Sequence, residues 1–345
     1  MNEITQEKVK QNWNGEIPLV SVCCITYNHE PYIAQSLDGF LMQKTSFPFE
    51  VLIHDDASTD RTADIIREYE KKFPKIIKPI YQKENQYSKG NRAILASFVY
   101  PRAKGKYIAL CEGDDYWIDE NKLQKQVDCL ENNQNCSVSF CKVLQVNKKG
   151  ISLNETIPFK VDFFNSIVTL KDYTYVQYFL GHWAFQTSGM LYKRNCISDY
   201  DNRNECFKMF PFGDMPLQLY LLLKGNAYYI DKIMSHYRVF SGGYNSEMLK
   251  NREKNKENQL KLKSAIEAFD KFTSFEFHEN IKVWSKRLDI EIKCLSGDVK
   301  GVFSKSNKEY LKKMGRLFCV KLYCRTKFPK TYFKIGCLKR IIKGK

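Results

Sequence analysis

After a polar leader, residues 1–17, the chain turns apolar and β-branched almost without a break over 19–26 (LVSVCCIT), between Pro18 and Asn28. A run with no polar alternate predicts a strand buried on both faces. A turn over 27–31 leads into a helix reaching about Met42. Residues 49–53, 76–81 and 107–111 predict three further strands, with helices over 61–73 and 92–100 among them. Thr59 or Asp60 can cap the first of these helices, and Pro74 stops it. Strands alternating with helices of this length predict a parallel, doubly wound sheet.

Beyond a helix over 121–131 the pattern changes. Segments 137–146, 159–164 and 185–192 read as strands of a more antiparallel half, with a short helix near 170–178. An apolar helix then runs from the Phe212–Pro216 turn to about Lys224, followed by short strands at 227–230 and 235–240. From about Ser246 the chain is helical and charged, over 246–272, 277–295 and 299–319. No repeat or low-complexity linker is present, and Ser241-Gly242-Gly243 is the nearest thing to a boundary. The expected organisation is a leader (1–17), one α/β domain (18–243) and a helical C-terminal region with a basic amphipathic tail (244–345).

Composition narrows the class. Of 345 residues 43% are hydrophobic and 14% aromatic, enough for a substantial core and against disorder. No run approaches the roughly 18–20 apolar residues that span a bilayer, and the leader has no apolar signal-peptide core. The twelve cysteines form no CxxC pair or zinc-spaced cluster, and Cys23, Cys24 and Cys111 lie inside apolar runs. That usage suits a reducing, cytoplasmic setting. The net charge of +16 is concentrated in 310–345, where twelve Lys or Arg occur with no acid. A basic appendage follows from this, rather than a nucleic-acid-binding body. Bases there interleave with Leu317, Phe318, Leu322, Tyr323, Phe328 and Tyr332, a pattern that fits an anionic membrane surface or a solvated helical end covering the core.

The chemistry gathers at 106–119 (KYIALCEGDDYWID), where a buried strand delivers its end into Glu112, Gly113, Asp114 and Asp115. Carboxylates so closely spaced repel one another unless a cation lies between them, and oxygen donors suit a divalent ion. A solvated acidic turn before a helix would give the same string. Ligands in open α/β sheets collect at the carboxyl ends of strands, which is where this string falls. Three other features share such positions: the Thr26-Tyr27-Asn28 turn, the Asp55-Asp56-x-Ser58-x-Asp60 loop, and Asp214 ahead of a helix. Neither GxGxxG nor GxxxxGK[ST] follows the first strand, so a dinucleotide fingerprint and a P-loop are excluded.

In this order and at these separations, with the strings EGDDYW and YRV-SGG, the set resembles glycosyltransferase family 2 of the bacterial surface-polysaccharide type, over about residues 18–243. The resemblance implies the GT-A nucleotide-sugar-binding fold, a Rossmann-like mixed sheet flanked by helices, here with a helical, basic C-terminal extension. It implies an inverting transfer of one sugar from a nucleotide-diphosphate donor, UDP-linked, to a hydroxyl of a glycan or lipid-linked acceptor. A catalytically silent scaffold, or a membrane-surface binding protein on the same fold, is the alternative. A nucleotidyltransferase would share sheet and metal but lacks its glycine- and lysine-rich phosphate loop.

Carried over residue by residue, the family pattern implies that Tyr27 stacks on the donor's base. Asp56 would accept the base's imide N–H with Asp55 in support, and Asn28 and Arg92 would face the donor. Asp115, with Asp114 and Glu112, would hold Mn²⁺ or Mg²⁺ at the diphosphate, Asp114 also contacting the donor. Asp214 would be the catalytic base, although the same residue before Pro216 reads as a helix cap with a lowered pKa. Arg238 would close over the diphosphate, and Phe240 stands where many relatives carry a histidine. His182 and Trp183 would form an acceptor wall. Without the family pattern, each of these has an ordinary structural role as its alternative.

Overall fold

The computed structural model describes residues 4–159, 166–200, 204–239 and 251–332. Ten strands form one mixed sheet: β1 (Val20–Thr26), β2 (Phe49–Asp55), β3 (Ile77–Tyr81), β4 (Tyr107–Leu110), β5 (Tyr116–Trp117), β6 (Cys136–Val146), β7 (Ser152–Ile157), β8 (Ile167–Val168), β9 (Met190–Lys193) and β10 (Asn226–Arg238). Their order is β3-β2-β1-β4-β9-β6-β10-β5, with β7 added to β6 and β8 to β10. The first four run parallel, and β9 enters antiparallel between β4 and β6. The doubly wound half and the mixed half both match the expectation from the sequence.

Alternation between two cores explains why the early strands are buried on both faces. Cys23, Leu52, Ile108 and Leu110 point into one core, and Val22, Cys24, Val51, Ile53, Tyr107 and Ala109 into the other. Helices α1 (Gln6–Lys10), α2 (Ile33–Leu41), α3 (Thr62–Lys72) and α4 (Lys122–Asn132) contribute residues to the second core. The first is covered by α5 (Leu170–Thr174), α6 (Glu205–Lys208), α7 (Asp214–Lys224), α8 (Arg252–Phe272) and α9 (His278–Leu295). Leu262, Ala265, Ile266 and Phe269 of α8 and Ile281 and Leu288 of α9 are buried in that same core, α8 packing on α6 and α9 on residues Tyr175–Leu180.

Several elements differ from the sequence reading. The strand expected at 159–164 lies outside the described residues but for Phe159, and β7 precedes it as an additional strand. Its sequence, SLNETI, is half exposed and among the described residues pairs only with β6, so it carries no apolar pattern to read. The 185–192 strand shortens to β9, because Thr187–Gly189 form a 3₁₀ turn. The two short strands after α7 are one, β10, whose register slips between Ile230 and Ser235; the exposed Asp231 and Lys232 at that irregularity hid its continuity. The last expected helix breaks into Val299–Val302, Lys308–Met314 and Arg316–Lys327, the final break falling at Gly315, whose φ is +84°.

Candidate active site

Backbone pairing places two of the acidic loops side by side. β1 lies between β2 and β4, with Thr26 opposite Asp55 and Cys23 opposite Leu110. Past the strand ends, Asp56 donates its N–H to the Thr26 carbonyl (3.0 Å) and Gly113 donates to the Ile25 carbonyl (3.0 Å). Both loops are thereby fastened to the end of β1.

The first loop is fixed by its own polar groups. Asn28 adopts a left-handed conformation, φ 54°, which asparagine tolerates, and its Oδ1 accepts the Thr59 N–H at 2.8 Å. Asp55 accepts the Ser58 hydroxyl at 2.5 Å, and Asp56 accepts the N–H groups of Gln86 (2.8 Å) and Tyr87 (3.0 Å). Asn28 and Asp55 therefore spend their side chains on holding the loop. Asp56 ties down the segment that carries Arg92, whose guanidinium stacks 3.7 Å over the Tyr87 ring. The Tyr27 ring stays exposed at this edge.

The second loop is packed tightly and charged. Gly113 admits no larger residue: a Cβ there would meet Thr26 Oγ1 at 2.7 Å and His29 Nδ1 at 3.1 Å. Ser36 of α2 donates to the carbonyls of Gly113 (2.9 Å) or Asp115 (2.5 Å), and Trp117 is buried beneath, donating Nε1–H to the Ser188 carbonyl. Asp115 is fully buried, accepting the Arg238 backbone N–H at 2.8 Å and the Gln186 amide at 3.3 Å. Burial raises its pKa well above the carboxylate range, with the charges of Asp114 and Glu112 adding to the effect. Glu112 is pushed up to about 8 by burial and by Asp114 and Asp214.

That last influence locates Asp214: a residue far along the chain stands within electrostatic reach of Glu112. Asp214 is the first residue of α7, with Gly213 at the cap position, and its Oδ1 accepts the Met215 N–H at 2.8 Å. The cap reading of the sequence, with a lowered pKa, is corrected here. Burial outweighs the hydrogen bonds and lifts the carboxyl above its usual range.

Arg238 reaches the same place from the end of β10. The pairing of β5 with β10, Trp117 opposite Ser235 and Tyr116 opposite His236, swings it over the acidic loop. Its guanidinium donates to the Asp114 carbonyl and to Gln35 Oε1 (2.5 Å), between the rings of Tyr32 (4.5 Å) and Tyr116 (4.8 Å). His29 Nε2 stands 3.9 Å from Asp114 Oδ2. Thr26 Oγ1, His29 Nδ1 and Arg238 Nε are buried here with no protein partner. Sequence reasoning missed His29, Tyr32, Gln35, Ser36, Tyr116 and Gln186; the polar Gln35-Ser36 pair inside the otherwise apolar start of α2 was the available signal.

The remaining expected residues lie at the rim or beyond. Trp183 is exposed, its ring 6.3 Å from that of Tyr237, next to Arg238. His182 is turned toward Phe159 (5.1 Å), and burial and Arg287 lower its pKa. Phe240 and Ser241-Gly242-Gly243 lie outside the described residues. Among the described residues, no three His, Cys, Asp or Glu side chains are disposed to hold a metal ion by themselves. The carboxylate oxygens of Glu112, Asp114 and Asp115 are the donor type a hard cation takes, and Asp115 also accepts two hydrogen bonds.

The sequence model of the family described as "Glycosyl transferase family 2" matches residues 21–194, just over half of the chain. An uncharacterized protein of Mycobacterium tuberculosis is 35% identical over 230 residues, covering 65% of this chain and 60% of that protein. The putative teichuronic acid biosynthesis glycosyltransferase TuaG of Bacillus subtilis is 35% identical over 147 residues, 42% of this chain and 54% of TuaG. The chain thus spans about 60% of the length of the curated relatives it matches over the longest stretch. Two solved structures share the fold at lower identity. S. aureus TarS 1-349 in complex with UDP-GlcNAc gives a TM-score of 0.50 at 19% identity, covering 89% of this chain and 79% of that one. The mannosyltransferase PcManGT of Pyrobaculum calidifontis, with GDP-Man and Mn²⁺, gives 0.55 at 15% identity, covering 97% and 93%.

Proposed function

The chain belongs to glycosyl transferase family 2, and from that premise we propose that it is an inverting, metal-dependent glycosyltransferase. It moves one sugar from a nucleotide-diphosphate donor, UDP-linked, to a hydroxyl of a glycan or lipid-linked acceptor in surface-polysaccharide synthesis. The observation that supports the reading is that Asp214, at the start of α7, adds to the burial and the Asp114 charge that raise the Glu112 carboxyl, so a candidate base lies within electrostatic reach of the acidic strand-end loop. The bound UDP-GlcNAc of TarS and the GDP-Man and Mn²⁺ of PcManGT support the donor class, and the putative teichuronic acid role of TuaG supports the polymer class.

In this reading the exposed Tyr27 ring stacks on the base, and the Asp55–Asp56 loop lines the nucleoside end, Asp56 meeting the imide N–H. Arg92, stacked on Tyr87, borders that end. Asp115, with Asp114 and Glu112, would hold the cation. A divalent ion, Mn²⁺ or Mg²⁺, would neutralise charge growing on the leaving diphosphate. Arg238 supplies fixed positive charge on the same side. Asp214 takes the acceptor hydroxyl's proton as its oxygen attacks the anomeric carbon from the face opposite the leaving group. A carboxyl raised by burial is a stronger base once ionised, which suits the task. Trp183, with Tyr237 beside it, offers an aromatic wall to the acceptor, and His182 stands behind it.

Among the described residues no helix is long and apolar enough to cross a membrane. The helix Arg316–Lys327 exposes Leu317, Val320 and Tyr323 beside Arg316, Lys321 and Lys327. This basic, apolar face would hold the protein at the anionic inner leaflet, where a lipid-linked acceptor resides.

The test is a panel of nucleotide sugars with and without Mn²⁺, read first by thermal shift and then by transfer. Asp214→Asn should keep the donor- and metal-dependent shift and lose transfer. Unchanged turnover removes Asp214 from its role, and no shift with any nucleotide sugar favours the silent scaffold.

A further inference from the structure

The opposite end of the same strands carries a second concavity. A cavity of about 1150 Å³ lies where β1 and β4 begin and β9 ends. Its lining includes Lys104, Lys106, Lys193 and Arg194 and no acidic residue. Lys106 is paired with Glu131 at 2.6 Å. The other three form no ion pair within 4 Å among the described residues: Lys193 donates to the Gln134 carbonyl (2.8 Å) and Arg194 commits only its Nε–H, to the Gly105 carbonyl (2.7 Å). The rings of Tyr100 and Tyr200 and the polar side chains of Asn195, Ser198 and Gln134 share the lining.

Glu131, paired with Lys106 and within electrostatic reach of Lys193, offsets only part of this charge, so the lining keeps a positive surplus that attracts an anion. The hollow contributes a shape argument. Its rim is cationic, its lining contains two phenol rings and several hydrogen-bonding groups, and its size takes several sugar rings. Aromatic faces pack against the C–H faces of pyranoses, and short amide and hydroxyl groups bond ring hydroxyls. A bilayer leaflet would need a flat or convex apolar face, and a nucleic acid a longer run of cations than three. We propose that this cavity is a second, non-catalytic binding site for an anionic oligosaccharide, one whose sugars carry carboxylate or phosphate groups. It lies roughly 20 Å behind the acidic loops, the length of β1 at about 3.3 Å per residue. A polymer held there stays with the protein without occupying the reacting centre.

The proposal is independent of the donor assignment and is tested by direct binding. Hexagalacturonate, neutral maltohexaose and inorganic pyrophosphate are titrated calorimetrically into the native chain, the Lys104→Ala/Lys193→Ala/Arg194→Ala variant and Asp214→Asn. Melting of each variant serves as the fold control. Hexagalacturonate should bind the native chain and Asp214→Asn alike, weaken by roughly tenfold or more in the triple variant, and weaken with added salt. Maltohexaose should bind at least about tenfold more weakly than the uronate. Equal binding of the two hexasaccharides, an unaltered affinity in the triple variant, or binding of pyrophosphate without hexagalacturonate would each overturn the assignment. Loss of transfer in Asp214→Asn with hexagalacturonate binding intact keeps the two sites' outcomes separate.

Discussion

The C-terminal ends of β1 and β4 hold Glu112, Asp114 and Asp115 against Thr26 and His29, with orphaned polar atoms buried among them. The N-terminal ends of the same strands open into a cavity whose lining bears four basic side chains, three of them free of ion pairs among the described residues. One edge is crowded, acidic and desolvated. The other is open, basic and largely solvated. Only at the first is charge forced into a low-dielectric setting, and only there do carboxyl groups move far from their ordinary values. Charge alone therefore does not mark the candidate site in this molecule; carboxyl groups whose titration burial has shifted do.

The sharpest way to break this contrast is at Asp214. Asp214→Asn should lower transfer by about 10²–10⁴-fold, the usual contribution of a positioned base, with donor affinity retained. Single-turnover assays set beside equilibrium donor binding separate the two effects. Next in size is Gly113→Ala. The added Cβ would fall 2.7 Å from Thr26 Oγ1 and 2.8 Å from Thr26 Cβ, so the loop or the strand end must shift. The expected loss is about 1–3 kcal/mol of stability together with weakened donor binding, read by denaturant unfolding and titration.

A third test uses pH. Glu112 is pushed up to about 8 in the folded chain, against 4.5 for an unperturbed carboxyl. Between those values the unfolded chain releases the proton and the folded chain keeps it. Its contribution to stability is thus complete below about 4.5 and is lost as pH rises toward 8. In EDTA the native melting temperature should fall across this window, and Glu112→Gln should flatten the fall. A parallel decline in both proteins would show that other groups govern it. The smallest effect belongs to the basic edge: Lys104→Ala, on an exposed side chain, should change stability by less than about 0.5 kcal/mol. A larger loss would mean that this edge, too, is structurally committed.

Much of the fold was legible because local pattern and global burial agree in the parallel half. The runs of β1, β2 and β4 are almost wholly buried, polar Ser21, Glu50 and His54 included, since their successive side chains enter the two faces of the sheet. The mixed half was read less well. The half-exposed β7 has no apolar face, and the irregular β10 carries Asp231 and Lys232 in its middle. At the site, Asp55, Asp56, Glu112, Asp114 and Asp115 were visible as clustered acids. His29, Gln35 and Gln186 were not, because each acts through a partner distant in the chain.

The sequence by itself determined which residue types stand at the strand ends and in what order, because strand period and acid clustering are local properties. Tertiary structure alone decided which of those acids feel one another, which are spent as struts, and that Asp214's carboxyl titrates upward rather than downward. The physical reason is that desolvation and Coulomb energy depend on distance through space and on what has been excluded from water, and neither quantity is written along the chain.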